Sequence, residues 1–181
     1  MIVLLTEEPS MRILLRSLIT RSWPASNEGV DWQIIAHQGK ADLERKIAPK
    51  MSSWNFRDPH FIILRDNDGG DCLKLKARLS ALAAKSGKPH QVRIVCQELE
   101  SWLIGDLSAV KAAYPKAPVR DAAAKFRDPD KLGNVSDELS ILTGELAKVE
   151  RAALVSAHLE PSRNRSRSFQ VLFKTLQQHL G

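Results

Sequence analysis

The chain has 181 residues, 43% of them hydrophobic and 27% charged, and a formal net charge of +6. That length and balance fit one domain, or one domain with a small appendage, around a real core. They exclude a disordered, collagen-like or linker-like polymer. The apolar run at residues 2–5 falls far short of the roughly 20 residues a membrane-spanning helix needs, and the first residues lack the basic and small-residue pattern of a secretory leader. Cys72 and Cys96, the two cysteines, cannot build a disulfide framework and lack the CxxC spacing of a zinc site. A cytoplasmic protein with reduced thiols is expected. Residues 151–181 carry five Lys/Arg against one Asp/Glu, so most of the positive excess sits there, pointing to an anionic partner near that end.

In chain order, residues 2–5 read as a buried parallel strand. A helix follows, with Pro9 in its first turn and Leu14, Leu15, Leu18 and Ile19 at helical spacing. Residues 32–36 read as a second strand and 41–48 as a short helix that stops before Pro49. Residues 50–59 are expected as a loop, 61–64 as a third buried strand, and 66–71 as a turn. The next helix, 72–85, should turn Leu73, Ala77, Leu79 and Leu82 to the core, with Asp71 as its cap. Residues 92–96 read as a fourth strand and 98–104 as the start of another helix. Alternation of strands and helices predicts an α/β fold with a mostly parallel, Rossmann-like four-stranded sheet flanked by helices. Beyond residue 106 the pattern is all helical, with breaks at 114–118, 127–129, 133–134 and 160–167. The expected organisation is an α/β core over residues 1–105 and a helical C-terminal extension over 106–181.

Acidic residues follow three of these strands: Glu7 and Glu8, then Asp66, Asp68 and Asp71, then Glu98 and Glu100. The strands of a parallel sheet end on one edge, where open α/β sheets bind ligands. Carboxylates gathered there repel one another unless protons or a cation compensate, and a hard divalent ion such as magnesium takes carboxylates plus water. The spacing of Asp66 and Asp68 lets both face one way from an extended segment. The same stretch is also good turn chemistry. Sheet order is left open; placing strand one beside strand three would bring Glu7 to the Asp pair. Arg163, Arg165 and Arg167, interleaved with Ser162, Ser166 and Ser168 before the last helix, are candidates for phosphate contact. Ser166 or Ser168 could equally cap that helix. Lys74 could reach the acidic loop or lie on a solvated face. Trp102 is expected in the core, and His37 is expected to be structural. No Walker A loop and no Ser-His-Asp elbow is present.

The segments Leu5-Thr6-Glu7-Glu8-Pro9-Ser10, Arg65-Asp66-Asn67-Asp68-Gly69-Gly70-Asp71-Cys72, the run from Cys96 through Glu98 and Glu100 to Asp106, and Asn164-Arg165-Ser166-Arg167-Ser168-Phe169 resemble a group of small bacterial Toprim-like proteins of unassigned function. A Glu after strand one and an Asp-x-Asp after a later strand are similar to the Toprim domain of topoisomerases, primases and overcoming-lysogenization-defect (OLD) nucleases. The resemblance spans nearly the whole chain. It implies a Toprim-like fold, with Glu7, Asp66 and Asp68 as catalytic, Mg2+- or Mn2+-binding residues and Glu98 and Glu100 matching a Glu-Leu-Glu block. It also implies a metal-dependent phosphodiester hydrolase acting on DNA or RNA beside an ABC- or AAA-type ATPase, some of these genes lying in anti-phage loci. Glu8 departs from the pattern: most Toprim domains carry Gly there, which lets a phosphate approach the backbone. The alternative is a non-catalytic partner or sensor subunit that contacts another protein through its acidic edge. A phosphorylated-Asp protein centred on Asp66 ranks last, since the downstream partners of that chemistry are missing. Oligomeric state is not legible.

Overall fold

The computed structural model describes residues 1–119, 124–144 and 147–181. Four strands, β1 (Ile2–Thr6), β2 (Trp32–Ala36), β3 (His60–Asp66) and β4 (His90–Val95), alternate with helices α1 (Pro9–Ser22), α2 (Lys40–Ser52) and α3 (Cys72–Ala84). Every strand pair is parallel and the order is β2-β1-β3-β4. The expected α/β class is thus observed. Helices α4 (Glu100–Ile104), α5 (Leu107–Ala113), α6 (Val135–Thr143), α7 (Lys148–Ser156) and α8 (Arg167–Leu180) follow, with short 3-10 turns at Ala124–Phe126 and Pro129–Lys131.

Alternation along the strands divides the core in two. Ile2, Leu4, Ile62 and Leu64 join α1 and the later helices in a large cluster with Trp102, Phe169, Leu172 and Leu176. Val3, Leu5, Phe61 and Ile63 face the other way, onto Leu43, Ile47 and Met51 of α2 and Leu79 and Ala83 of α3. Each fully buried Leu or Ile contributes about 1.5–3 kcal/mol, so the sheet is held from both faces. The central strand β1 is buried at all five positions, which is why it reads as a continuous apolar run. Trp102 is in the core as expected, its indole N–H donating to Ser168 Oγ at 2.8 Å and its ring meeting Phe169 edge-on.

Four local expectations need correction. Helix α2 does not stop before Pro49 but runs through it to Ser52, so the first three residues of the expected loop are helical. Proline removes one hydrogen bond there, but Ile47 and Met51, both fully buried, hold the last turn. Strand β3 extends to Asp66, because Asp66 still pairs with Val95 of β4. Asp66 is therefore a strand residue, not a turn residue. Leu73 is 79% exposed and Ala77 is exposed, while Leu79 and Ala83 carry the buried face of α3. Finally, α6 ends at Gly144 in a left-handed conformation (φ 66°), a C-terminal signal that separates it from α7. Asp71 caps α3 as expected, accepting from the Leu73 and Lys74 amides.

Candidate functional site

The strand order places β1 beside β3, with Thr6 level with Leu64. The residues that follow, Glu7 from β1 and Arg65–Asp66 from β3, therefore meet at the carboxyl edge, where the chain order reverses and ligands of open sheets bind. The Asp66 amide donates to Glu7 Oε2 at 3.3 Å. Asp68 and Gln97, both at positive φ (49° and 65°), face each other from the β3–α3 and β4–α4 loops. The Asp68 amide donates to the Gln97 carbonyl at 3.1 Å, and the Gln97 amide donates to Asn67 Oδ1. Left-handed backbone at a non-glycine residue is uncommon and uphill, so these paired bonds fix the acidic loop against the next one.

Two groups of charge surround the edge. On the α2–α3 side, Arg65 is buried and its guanidinium reaches Glu44 at 2.5 Å, Glu7 at 3.7 Å and Asp68 at 3.9 Å. Arg78 shares Glu44 at 2.7 Å, and Lys40, in the first turn of α2, reaches Asp68 at 3.3 Å. On the α4–α7 side, Glu100 is 2% exposed and lies 3.6 Å from Arg151 and 3.7 Å from Lys148. Glu98 is half-buried and adds its charge to Glu100 and Lys148. Glu8, just before α1, takes the Ser10 hydroxyl.

Burial dominates the titration of these acids. Burial, then the charge of Asp68, pushes the Glu7 carboxyl above its ordinary range. Burial, then Glu7, Glu8 and Glu100, pushes Asp66 well above its own, with the Leu99 amide pulling the other way. Glu100 is raised by burial against the pull of Lys148. Burial works against the Lys148 ammonium, but Glu100, Glu8, Glu98 and Asp66 outweigh it and hold its pKa above the lysine value.

Among the described residues, no three His, Cys, Asp or Glu side chains already stand as a metal-holding group. The chemistry of the donors nonetheless fits a hard divalent cation. Asp66, 5% exposed, and Glu100 each bury one carboxylate oxygen, Oδ1 and Oε2, with no hydrogen-bond partner. A buried unpaired carboxylate oxygen is costly, and an all-oxygen donor set is what Mg2+ takes.

The structure brings Glu7, Asp66, Asp68, Glu98 and Glu100 to one edge. Lys74 is exposed beside that loop, 4.0 Å from Asp71. The serine–arginine stretch is engaged differently. Ser166 takes the capping role: its buried hydroxyl accepts from the Phe169 amide and donates to Asp130. Asp130 also accepts from the Ser168 amide at 2.7 Å, so an internal carboxylate stands at the start of α8 and the Ser166 hydroxyl is already engaged. Arg163 pairs with Asp106 at 3.1 Å. The Arg165 amide donates to the Gly105 carbonyl at 2.9 Å. Arg167 lines a separate groove with Cys72, Cys96 and Val171. The two thiols are free, 3.9 Å apart, and burial pushes Cys96 up to about 12. His37 is structural, its Nδ1 2.9 Å from the Thr6 carbonyl.

Sequence reasoning missed Arg65, Glu44, Lys148 and Arg151. Arg65 carried a signal, being a charged residue that directly extends an apolar strand run. Lys148 and Arg151 carried none, since their partner Glu100 is distant in sequence.

The family model described as a domain of unknown function, DUF4276, matches residues 6–177, and the chain belongs to that family. No curated protein matches the sequence. Among solved structures, the chain is similar to the C-terminal region of the Burkholderia pseudomallei OLD protein, with 14% identity and a TM-score of 0.51, covering 97% of this chain and 98% of that one. At that identity the likeness is one of fold.

Proposed function

With membership of DUF4276 as the premise, we propose that the acidic edge binds Mg2+ or Mn2+ through Glu7 and Asp66, with Asp68, Glu98 and Glu100 as further candidates, and hydrolyses phosphodiester bonds in DNA or RNA. The observation that carries this reading is the pair of buried, unpartnered oxygens, Asp66 Oδ1 and Glu100 Oε2, beside Glu7 at the point where the strand order reverses. The sequence blocks resemble Toprim proteins, OLD nucleases among them, and a solved structure of similar fold is the C-terminal region of an OLD protein. Those two lines support the reading independently of the charge geometry.

A bound divalent ion supplies Lewis acidity, making water a better nucleophile and offsetting charge that builds on phosphate. The chain supplies the rest. The Asp66 amide orients Glu7 through its Oε2. Lys148 and Lys40, from opposite sides of the edge, offer positive charge to the phosphate backbone. An ABC- or AAA-type ATPase is the proposed partner and the cytoplasm the proposed location; among the described residues no helix is long and apolar enough to cross a membrane.

The test is cleavage of supercoiled plasmid, single-stranded DNA and RNA with Mg2+ or Mn2+, with and without the ATPase. Metal-dependent cleavage abolished in Glu7→Gln and Asp66→Asn supports the reading. One observation favours the non-catalytic alternative: Glu8 adds a carboxylate where a Toprim glycine would admit phosphate, and its charge already bears on Asp66 and Glu100. Stable capture of the ATPase without cleavage under any of these conditions selects that alternative.

A further inference from the structure

Two thiols beside the acidic edge take no part in the chemistry proposed above. Cys72 opens α3 directly after the acidic loop, and Cys96 follows β4, 24 residues further along the chain. Both are free, and their sulfurs stand 3.9 Å apart. Both are half-buried and line a groove of about 470 Å³ walled by α3, β4 and α8. Lys76, Arg93 and Arg167 line the same groove, and among the described residues no carboxylate pairs with any of the three. Asp130, the acid in that lining, is held by the Ser166 hydroxyl and the Ser168 amide. Partly exposed thiols in electropositive surroundings are the reactive kind. The sulfurs are also wired to the acidic loop. The Asn67 side-chain nitrogen donates to Cys72 Sγ at 3.2 Å and to the Gly70 carbonyl at 2.7 Å. Its Oδ1 accepts from the amide of Gln97, the residue after Cys96.

We infer that Cys72 and Cys96 are an oxidation site, forming a reversible intramolecular disulfide that ties the β3–α3 loop to the β4–α4 loop. Hydrogen peroxide is the oxidant. Cys72 takes one of its oxygens and becomes a sulfenic acid, and the other oxygen leaves as water. Cys96, protonated until then, attacks that sulfur. The S–S bond forms as the S–OH bond breaks, and the hydroxyl leaves as a second water with the Cys96 proton. Exchange with glutathione or thioredoxin returns both thiols. A disulfide holds its sulfurs about 2.05 Å apart, so closure draws the first turn of α3, with its Asp71 cap, toward Cys96. Asn67 passes that movement to the loop that carries Asp68, whose amide already bonds the Gln97 carbonyl. The site therefore couples oxidant to the geometry of the acidic edge, whatever that edge binds.

The experiment exposes the purified full chain to hydrogen peroxide, alkylates the remaining thiols in the native state and reads unreduced peptides by mass spectrometry. A linked pair joining Cys72 to Cys96 is expected, lighter than the reduced pair by two hydrogen atoms and reversed by dithiothreitol. Amide hydrogen exchange over residues 67–71 and 96–98 should slow in the oxidised chain. In Cys96→Ser, dimedone should label Cys72 as its sulfenic acid. The wild-type readouts stand even where that variant folds poorly. Thiols that still alkylate after an exposure that oxidises free glutathione overturn the inference. So do sulfinic or sulfonic acids in place of the link, or a link that joins two chains. A Cys72–Cys96 link that leaves exchange in both loops unchanged overturns the coupling to the acidic edge. None of these outcomes depends on whether the edge binds metal, so the hydrolase reading stands or falls separately.

Discussion

At the carboxyl end of the sheet, Glu7, Asp66 and Glu100 are withdrawn from water; at the amino end, His60 is half-buried beside the exposed His179. His60 opens β3, His90 opens β4, and His179 lies in the last turn of α8, its ring tilted against that of His60 with centroids 4.4 Å apart. His60 Nε2 is buried without a partner, like the oxygens of Asp66 and Glu100. Burial drives each group toward its neutral form: the acids titrate high, and His60 and His179 titrate low. The ends differ in their neighbours. Arg65, Lys148 and Arg151 bring opposite charge to the acids. Around His60 the neighbours are His179, His90, Arg93 and the terminal amine, all of its own sign when protonated. One end is built to keep charge out of water, the other to be rid of it. Depth of burial is therefore a poor guide to function without the sign of what surrounds it.

The largest test of that contrast removes a counter-charge. Arg151→Met leaves Glu100 buried with only Lys148 beside it, and should destabilise the fold by about 3–5 kcal/mol in denaturant titrations; a change as small as that of a surface substitution would show that Glu100 does not depend on its guanidinium. Next, Asp66→Asn should weaken Mn2+ binding by more than about 10-fold. The same variant should raise metal-free stability at neutral pH. A carboxyl whose native pKa is raised holds its proton in the native state where the unfolded chain has lost it. Its ionisation therefore costs stability at high pH, and the gain in Asp66→Asn should shrink as pH falls through the raised pKa. Thermal melts across pH check both parts.

The histidine end should respond in the opposite direction. His60 and His179 have native pKa values below their ordinary 6.5, so the unfolded chain binds protons that the native state refuses. Stability is intact above the unfolded value and falls as pH drops below it. His60→Gln should flatten that acid-side loss in melting temperature, whereas an unchanged pH profile would mean that the His60 ring is freely solvated. The smallest effect is expected at Leu73→Ser. Leu73 contributes nothing to the core, and the substitution should stay within about 0.5 kcal/mol.

Legibility in the sequence followed the range of the interactions. The four strands, the Asp71 cap and the core placement of Trp102 could be read because period, cap chemistry and side-chain size act locally. The acidic residues could be placed on one edge because parallel strands share an end. Pro49 inside α2 was not legible, since burial of Met51 decides it. Nor was Asp66 as a strand residue: its pairing with Val95 is made by a strand that comes later. Arg65 lay in plain view beside the Asp pair, but its ion pair follows only from Glu44, shared with Arg78, arriving from another element. Assignment of Ser166 likewise turned on Asp130, which nothing near residue 166 announces.

Gly105 leaves no room for a side chain: a Cβ there would meet Asn164 Oδ1 at 2.2 Å. Asn164 in turn bonds the Trp102 carbonyl, 62 residues away, and the Arg165 amide closes on Gly105 itself. This joint fixes the helix that carries Glu100, so the order of synthesis matters. A ribosome can release all four strands well before residues 151–168 exist, and until then Glu100 lacks both its guanidinium and its clamp. On the emerging chain, the Glu100 end of the acidic edge matures only after the sheet that presents it.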